Sequence, residues 1–310
     1  MGRPLLYVPP SGGLFLVTTR TVHGRFLLRP GMQLNALAAG VLGRAQRRHE
    51  VEIHAAVVLS NHYHLLISVR DAEQLASFMC FFNGNLARKA GRLYDWKERF
   101  WGRRYRATLV SEEPEAQIDR LRYVLAQGCK EGLVGSPLDW PGLTCAPALL
   151  EGQDLQGVWD NRTRRFLALK ANKQLDDTEF QEQESVVFSP LPCWQDLEPV
   201  AYQNRIRNLV QGITEETVEM HAERGTQPLG AENIRRQQPH SHPNRPARSP
   251  APRFHGIAKA VLRAILEAYR EFVEAYRAAA EQLRRGEQGV SFPEGCFPPR
   301  LPFVPPLRPG

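Results

Sequence analysis

Apolar residues in the first 130 positions switch repeatedly between the two-residue period of a strand and the three-to-four-residue period of a helix. Residues 15–22, rich in Thr and Val, predict a strand. Residues 33–48 place Leu34, Leu37, Val41 and Leu42 at helical spacing and end in Arg44, Arg47 and Arg48. Residues 51–59 and 62–69 are two apolar, β-rich runs parted by Ser60-Asn61, which predicts a hairpin. From Asp71 to about Leu93 a long helix carries Leu75, Phe78, Met79, Phe82 and Leu86 on one side, with Gly84 as a weak point inside it. A strand over 107–110 follows. Ser111, two glutamates and Pro114 then announce a helix that runs to about Gln127, with Gly128 as its stop. The order strand, helix, strand, strand, helix, strand, helix predicts an α+β fold, a ferredoxin-like (RRM-like) antiparallel sheet with packed helices.

Beyond Trp140-Pro141-Gly142 the pattern loosens, so residues 1–150 form one expected domain and a mostly helical C-terminal extension follows. Residues 151–234 are mixed, with a helix expected over 203–224. Residues 235–254 read as an extended basic linker, since 235–253 hold five Pro, five Arg and no acid. A C-terminal helix over 255–286 spaces Leu262, Ile265, Tyr269, Phe272 and Tyr276 by three and four, and repeats Glu-Ala-Tyr-Arg one heptad apart at 267–270 and 274–277. That stripe predicts a packing seam, against the rest of the chain or against a second copy in a homodimer. Residues 287–310 form a Pro-rich tail.

Charge sharpens this division. Of 310 residues, 40 are Lys or Arg and 33 Asp or Glu, a net charge of +7. Residues 1–150 contain 19 basic and 12 acidic side chains, whereas 151–310 contain 21 of each, so the first domain carries the whole excess. A basic domain beside a neutral one points to a polyanion such as nucleic acid. The five cysteines are scattered and never form Cys-x-x-Cys, which excludes a disulfide framework and a zinc ribbon. No apolar run is long enough for a membrane span, and no signal-like segment opens the chain, so a soluble cytoplasmic, nucleoid-associated protein without a membrane partner is expected.

The chemistry-bearing segment is Asn61-His62-Tyr63-His64-Leu65-Leu66. On a strand His62 and His64 share a face and Tyr63 points the other way, so the two imidazoles can chelate a metal. With nine His in the chain, His-x-His arises by chance about 0.3 times. His240-Ser241-His242 has the same spacing but lies in the Pro/Arg linker and reads as incidental. In the helix that follows, Ile118, Leu121, Val124 and Leu125 form the apolar stripe, while Tyr123 and Gln127 lie one turn apart nearly opposite it. Gln127 is therefore a candidate third ligand through its amide oxygen and Tyr123 a candidate nucleophile. Two imidazoles and one amide oxygen leave positions open for phosphate and water, which suits Mg²⁺ or Mn²⁺. No general base can be picked out.

At these residues the chain resembles the HUH single-tyrosine transposases, and within them the REP-associated tyrosine transposases of bacteria. Ser60-Asn61-His62-Tyr63-His64-Leu65-Leu66 is similar to their Pro-Asn-His-x-His-Leu-Leu segment, and residues 122–134, from Arg122-Tyr123 to Gly132-Leu133-Val134, to their later Arg-Tyr run. Thr18-Thr19-Arg20, Phe100-Trp101-Gly102-Arg103-Arg104-Tyr105 and Asp139-Trp140-Pro141 add to the likeness, which covers about residues 7–145. Ser60 replaces the usual Pro, and Gln127-Gly128 replaces Asn-Pro. The resemblance implies a transposase that cleaves and rejoins single-stranded DNA at hairpin, REP-like sequences. It implies that His62, His64 and Gln127 bind the divalent metal and that Tyr123 becomes joined to a DNA 5′ phosphate, leaving a free 3′-OH.

Residues 88–106 hold eight basic and two acidic side chains. Lys89, Arg99, Arg103, Arg104 and Arg106 are the expected phosphate contacts, with Trp101 or Tyr105 stacking on bases. Two other classes stay open: a non-catalytic nucleic-acid binder on the same α+β scaffold, and a metal-dependent hydrolase that uses water and needs no Tyr123. Replication initiators also place a tyrosine after a His pair, and the lack of a Gly-rich phosphate loop argues against a fused helicase.

Overall fold

The structure is a computed structural model that describes residues 5–171, 176–243 and 252–297. The first six elements are β1 (Gly13–Arg20), α1 (Met32–His49), β2 (Glu52–Val58), β3 (His62–Val69), α2 (Ala72–Leu93) and β4 (Arg106–Val110). Their strands lie in the order β2-β3-β1-β4, with each neighbouring pair antiparallel, which is the ferredoxin-like arrangement. Gly84 does not interrupt α2, and Asp71 caps it by accepting from the Gln74 amide at 2.7 Å.

Alternation along β3 decides which side chain meets which layer. Tyr63, Leu65 and Ile67, with Phe15 and Val17 of β1, are buried against α1 and α2. On the other face Leu66, Leu16, Ala55 and Val57 are buried against a second helical layer. That layer comprises α3 (Pro114–Leu125), α4 (Gln127–Lys130), α5 (Ala146–Glu151) and α7 (Pro199–Arg224). The sheet is thus covered on both faces.

The helix expected to run to Gln127 ends at Leu125, and after Ala126 the chain starts the single turn α4. Gly128 is not a stop. It lies inside α4, where a Cβ would stand 2.8 Å from Val134 and 3.3 Å from Trp140, so the glycine admits a close crossing.

Residues 151–202, which show little periodicity, contain a hairpin of β5 (Leu155–Asp160) and β6 (Gln181–Val186), with α6 (Arg162–Lys170) between its strands. Its backbone docks on α1 through glycines. A Cβ on Gly40 would meet the Val158 carbonyl carbon at 2.2 Å, and one on Gly43 the Ser185 oxygen at 2.5 Å. Arg44 and Arg47 of α1 hold the buried Glu184 carboxylate at 2.6 and 2.7 Å. Burial opposes ionisation of Glu184, but the two guanidinium groups win and hold its pKa below the usual carboxylate value.

The Pro/Arg segment is the main correction to the sequence reading. It does not simply span the gap after α8 (Ala231–Arg235). Ser241 accepts from the Phe26 amide at 2.9 Å, and Phe254–His255 forms β7, a short strand parallel to β4. The β4 edge has unspent backbone groups, and β7 takes them: Leu109 and Ser111 donate to Arg253 and His255 at 3.0 and 2.8 Å. Residues 244–251 lie outside the described residues. The last helix, α9, spans Lys259–Arg284, and the Glu113 carboxylate receives the Ile257 and Ala258 amides ahead of it. Its aromatic stripe packs within the chain: Tyr269 and Phe272 contact Tyr7, with ring centroids 6.0 and 5.1 Å apart. Of the Pro-rich tail, residues 298–310 lie outside the described residues. Among the described residues no helix is long and apolar enough to cross a membrane.

The glycine contacts give a paired prediction. Gly84 faces open space, so Gly84→Ala should stabilise by up to about 1 kcal/mol through helix propensity. Gly40→Ala should destabilise by about 1–3 kcal/mol through overpacking. Urea titrations of both variants check the opposite signs.

Candidate active site

Register builds the site before any side chain is considered. His62 and His64 lie opposite Arg20 and Thr18 of β1, and Val57 of β2 flanks His64 on the other side. Residues directly opposite share a face. The two imidazoles therefore stand beside one another, ring centroids 5.1 Å apart, on the face covered by α3 and α4. Tyr63 anchors the opposite face, fully buried, with its hydroxyl donating to Asn83 Oδ1 at 2.7 Å.

The turn ahead of β3 orients the first histidine. Asn61 donates from Nδ2 to the Gly24 carbonyl at 3.0 Å, and its Oδ1 lies 2.6 Å from His62 Nδ1. An amide oxygen accepts, so the proton sits on Nδ1 and the Nε2 lone pair remains available. Burial, with help from Arg20, pushes the His62 pKa down to about 3. His64 is lowered as well, by burial first and then by His62, Lys130, Arg20 and Arg120. Both rings are neutral at physiological pH, the state in which imidazole coordinates metal. His64 Nδ1 is buried with no hydrogen-bond partner.

Helix α3 brings the phenol to this pair. The Tyr123 ring meets His64 edge to face, centroids 5.4 Å apart. Ala126 ends α3, and the following turn buries Gln127 to 1% exposure. Gln127 Nε2 donates to the Tyr123 carbonyl at 2.9 Å, and the same side chain lies close enough to His62 to influence its pKa. His62, His64, Tyr123 and Gln127, chosen from two separate stretches of sequence, thus come together. Among the described residues no group of three or more His, Cys, Asp or Glu side chains could hold a metal, so this mixed set is the candidate centre.

Sequence reasoning missed the cations around it. Arg120 Cζ and Lys130 Nζ each lie 4.8 Å from the Tyr123 ring centroid. Arg120 sits three residues before Tyr123 and Lys130 seven after, spacings that return to the same helical side and so were in principle readable. With neutral imidazoles, these groups and Arg20 make the site electropositive, which suits a phosphodiester.

The model of the family described as "Transposase IS200 like" matches residues 33–127, from the start of α1 through Gln127, and so spans both histidines and Tyr123. That stretch is similar to the transposase IS200-like family. Two solved structures are similar to parts of the chain. One is a REP-associated tyrosine transposase bound to a REP hairpin, 17% identical, covering 49% of this chain and 86% of its own, with a TM-score of 0.41. The other is a Deinococcus radiodurans protein assigned as a transposase, 19% identical, covering 39% of this chain and 92% of its own, with a TM-score of 0.27. No curated protein sequence matches the chain.

The expected DNA contacts divide between surfaces. Arg106 is exposed and pairs with Thr18, on the histidine face. Trp101, Arg103, Arg104 and Tyr105 line a pocket of about 280 Å³ with Thr19 and Asn83, across the sheet from the histidines. Trp101 is also a packing residue, edge to face with Tyr63 and donating to the Asn83 carbonyl at 3.0 Å. Arg99 is exposed on the loop after α2. Lys89 departs from expectation. Its side chain is 6% exposed, and Nζ donates to the Asp160 carbonyl at 2.7 Å and lies 4.3 Å from the Trp159 ring centroid. A buried ammonium committed to β5 is not a phosphate contact.

Burial, reinforced by nearby arginines, lowers the Lys89 pKa to about 8, below its unfolded value. Between about pH 8 and 10.5 the unfolded state therefore holds the extra proton, and the Lys89 contribution to stability rises with pH. Wild-type stability relative to Lys89→Met should increase by about 2 kcal/mol across that window. Denaturant melts at a series of pH values check it.

Proposed function

We propose that the chain is a divalent-metal-dependent single-strand DNA transposase and endonuclease that cleaves and rejoins DNA at hairpin, REP-like sequences. The observation that carries this reading is the contact between Tyr123 and His64, with the Gln127 side chain held on the Tyr123 carbonyl beside His62. The donor set fits a hard divalent ion: two neutral imidazoles, one with an orphaned buried nitrogen, and a carboxamide beside them. His62, His64 and Gln127 would hold Mg²⁺ or Mn²⁺, which would supply Lewis-acid polarisation of the scissile phosphate. The hairpin preference rests on the motif resemblance.

Tyr123 is the nucleophile. Its phenolic oxygen bonds to phosphorus while the bond from phosphorus to the 3′ oxygen of the upstream strand breaks. The phenol gives up its proton and the departing 3′ oxygen takes one up, so the products are a free 3′-OH and a 5′-phosphotyrosine. Attack on that linkage by a second 3′-OH restores the phenol and joins the strands without ATP. Lys130 and Arg120, each 4.8 Å from the ring centroid, offset negative charge on the phenolate and the phosphate. Asn61 holds the His62 ring in one tautomer.

Labelled single-stranded hairpin DNA incubated with the protein and Mn²⁺, then run on a denaturing gel, should give a protein-linked band. Tyr123→Phe, His64→Ala and EDTA should each abolish it. DNA binding without any covalent band from the wild type would instead favour a non-catalytic binder, and cleavage that survives Tyr123→Phe would favour hydrolysis by water. As a graded check, Asn61→Ala should weaken Mn²⁺ binding, measured by calorimetry, about 10–100-fold without removing it.

A further inference from the structure

We infer that the outer face of α2 and the start of α6 form a second DNA-binding surface, which takes the phosphate backbone of the substrate's duplex arm while the cleaved strand lies at the histidine face. The inference rests on the DNA-processing reading of the site and adds a surface that residues 33–127 do not contain by themselves, since α6 lies beyond residue 127.

Two elements distant in sequence bring the cations together. Arg88 and Arg92 are one turn apart on α2, and both are exposed. Strand β5 ends at Asp160, which is held against α2 by Lys89, 3.8 Å from its carboxylate. Asn161 then caps α6 by accepting from the Arg164 amide at 3.0 Å, and Arg162, the first residue of that helix, is exposed beside Arg88 and Arg92. The proximity is close enough for these two arginines to lower the Arg162 pKa, behind the effect of its desolvation.

Compensation is only partial, since Asp160 acts on Arg162 from a distance. The acid at hand, Asp160, is paired with Lys89. Among the described residues no carboxylate forms an ion pair with Arg88, Arg92 or Arg162, and the hydrogen bond from Arg88 goes to the neutral Asn85 at 2.9 Å. Like charges so placed repel in the free protein, and a regular polyanion relieves that repulsion. The buried Lys89 ties the α6 arm to α2, so the three guanidinium groups are presented on a fixed frame and not on a loose tail. Because α2 covers the sheet face opposite His62 and His64, DNA on this surface is a part of the substrate other than the strand at Tyr123.

The test uses the full chain with Arg88→Gln, Arg92→Gln and Arg162→Gln combined, three exposed positions where the fold should survive. Hairpin affinity is read by fluorescence anisotropy over a range of salt concentrations. Removing three phosphate contacts should flatten the slope of log K against log salt by about 2–3 and weaken binding roughly tenfold or more at moderate salt. The rate of covalent adduct formation on a short single-stranded oligonucleotide, with no duplex arm, should stay at the wild-type value. An unchanged slope overturns the inference while leaving the catalytic reading intact, whereas a wild type that binds no DNA overturns both. The exposed Phe166, Leu167 and Leu169 of α6 give a third arm, binding to phosphatidylserine vesicles. Loss of vesicle binding in the variant with hairpin binding intact would assign the face to a membrane surface and overturn the inference.

Discussion

The position of β3 between β1 and β2 is the constraint on which the candidate chemistry depends. A slip of one residue in that pairing would turn His62 and His64 toward α2 and expose the Tyr63 side to α3. Several independent contacts prevent it. Tyr63 is buried and hydrogen-bonded to Asn83, Leu65 and Ile67 sit wholly in the core of the α1 and α2 face, and Asn61 pins the turn to Gly24. These hydrophobic and hydrogen-bonding interactions do no chemistry, yet they fix which face two buried imidazoles occupy. Burial then keeps both rings neutral, and α3 needs only to lie on that face for its tyrosine to meet them.

Much of this arrangement was legible in the chain because it rests on short-range periodicity. The two-residue alternation in 62–69 placed the histidines together, the stripe in 114–125 placed Tyr123 off the main seam, and the order of elements gave the ferredoxin-like sheet. The break between α3 and α4 was less visible. It falls at Ala126, and the close approach of Gly128 to Trp140 just beyond it is a contact twelve residues away that no local pattern announces. The cations at the phenol follow from helical spacing, but the denser basic run at 88–106 dominates the charge pattern of the sequence. Within that run Lys89 misled, since charge alone does not tell a surface lysine from one recruited into the support of another element.

The accessory region shows where sequence reading stops. Nothing in residues 151–202 has the alternation of a half-buried strand, because β5 and β6 pair only with each other and rest on glycines of α1. Likewise the Pro/Arg segment reads as a linker by composition, yet its end completes the sheet by supplying two hydrogen bonds to an edge. That return has a consequence for the site: His255 lies 3.1 Å from Asp119, and Asp119 also pairs with Arg120, one of the cations beside Tyr123. Long-range pairing therefore ties the C-terminal part of the chain to the helix that carries the candidate nucleophile.

The central claim is that a single phenol takes the phosphate. Peptide mapping by mass spectrometry after reaction with a hairpin oligonucleotide tests it most directly, since trypsin should release residues 123–130 as one fragment between Arg122 and Lys130. The account predicts a nucleotide attached through its 5′ phosphate to Tyr123 in that fragment, with a matching DNA product that ends in a 3′-OH. Cleaved DNA with an unmodified fragment, or with the nucleotide on another residue, would contradict it.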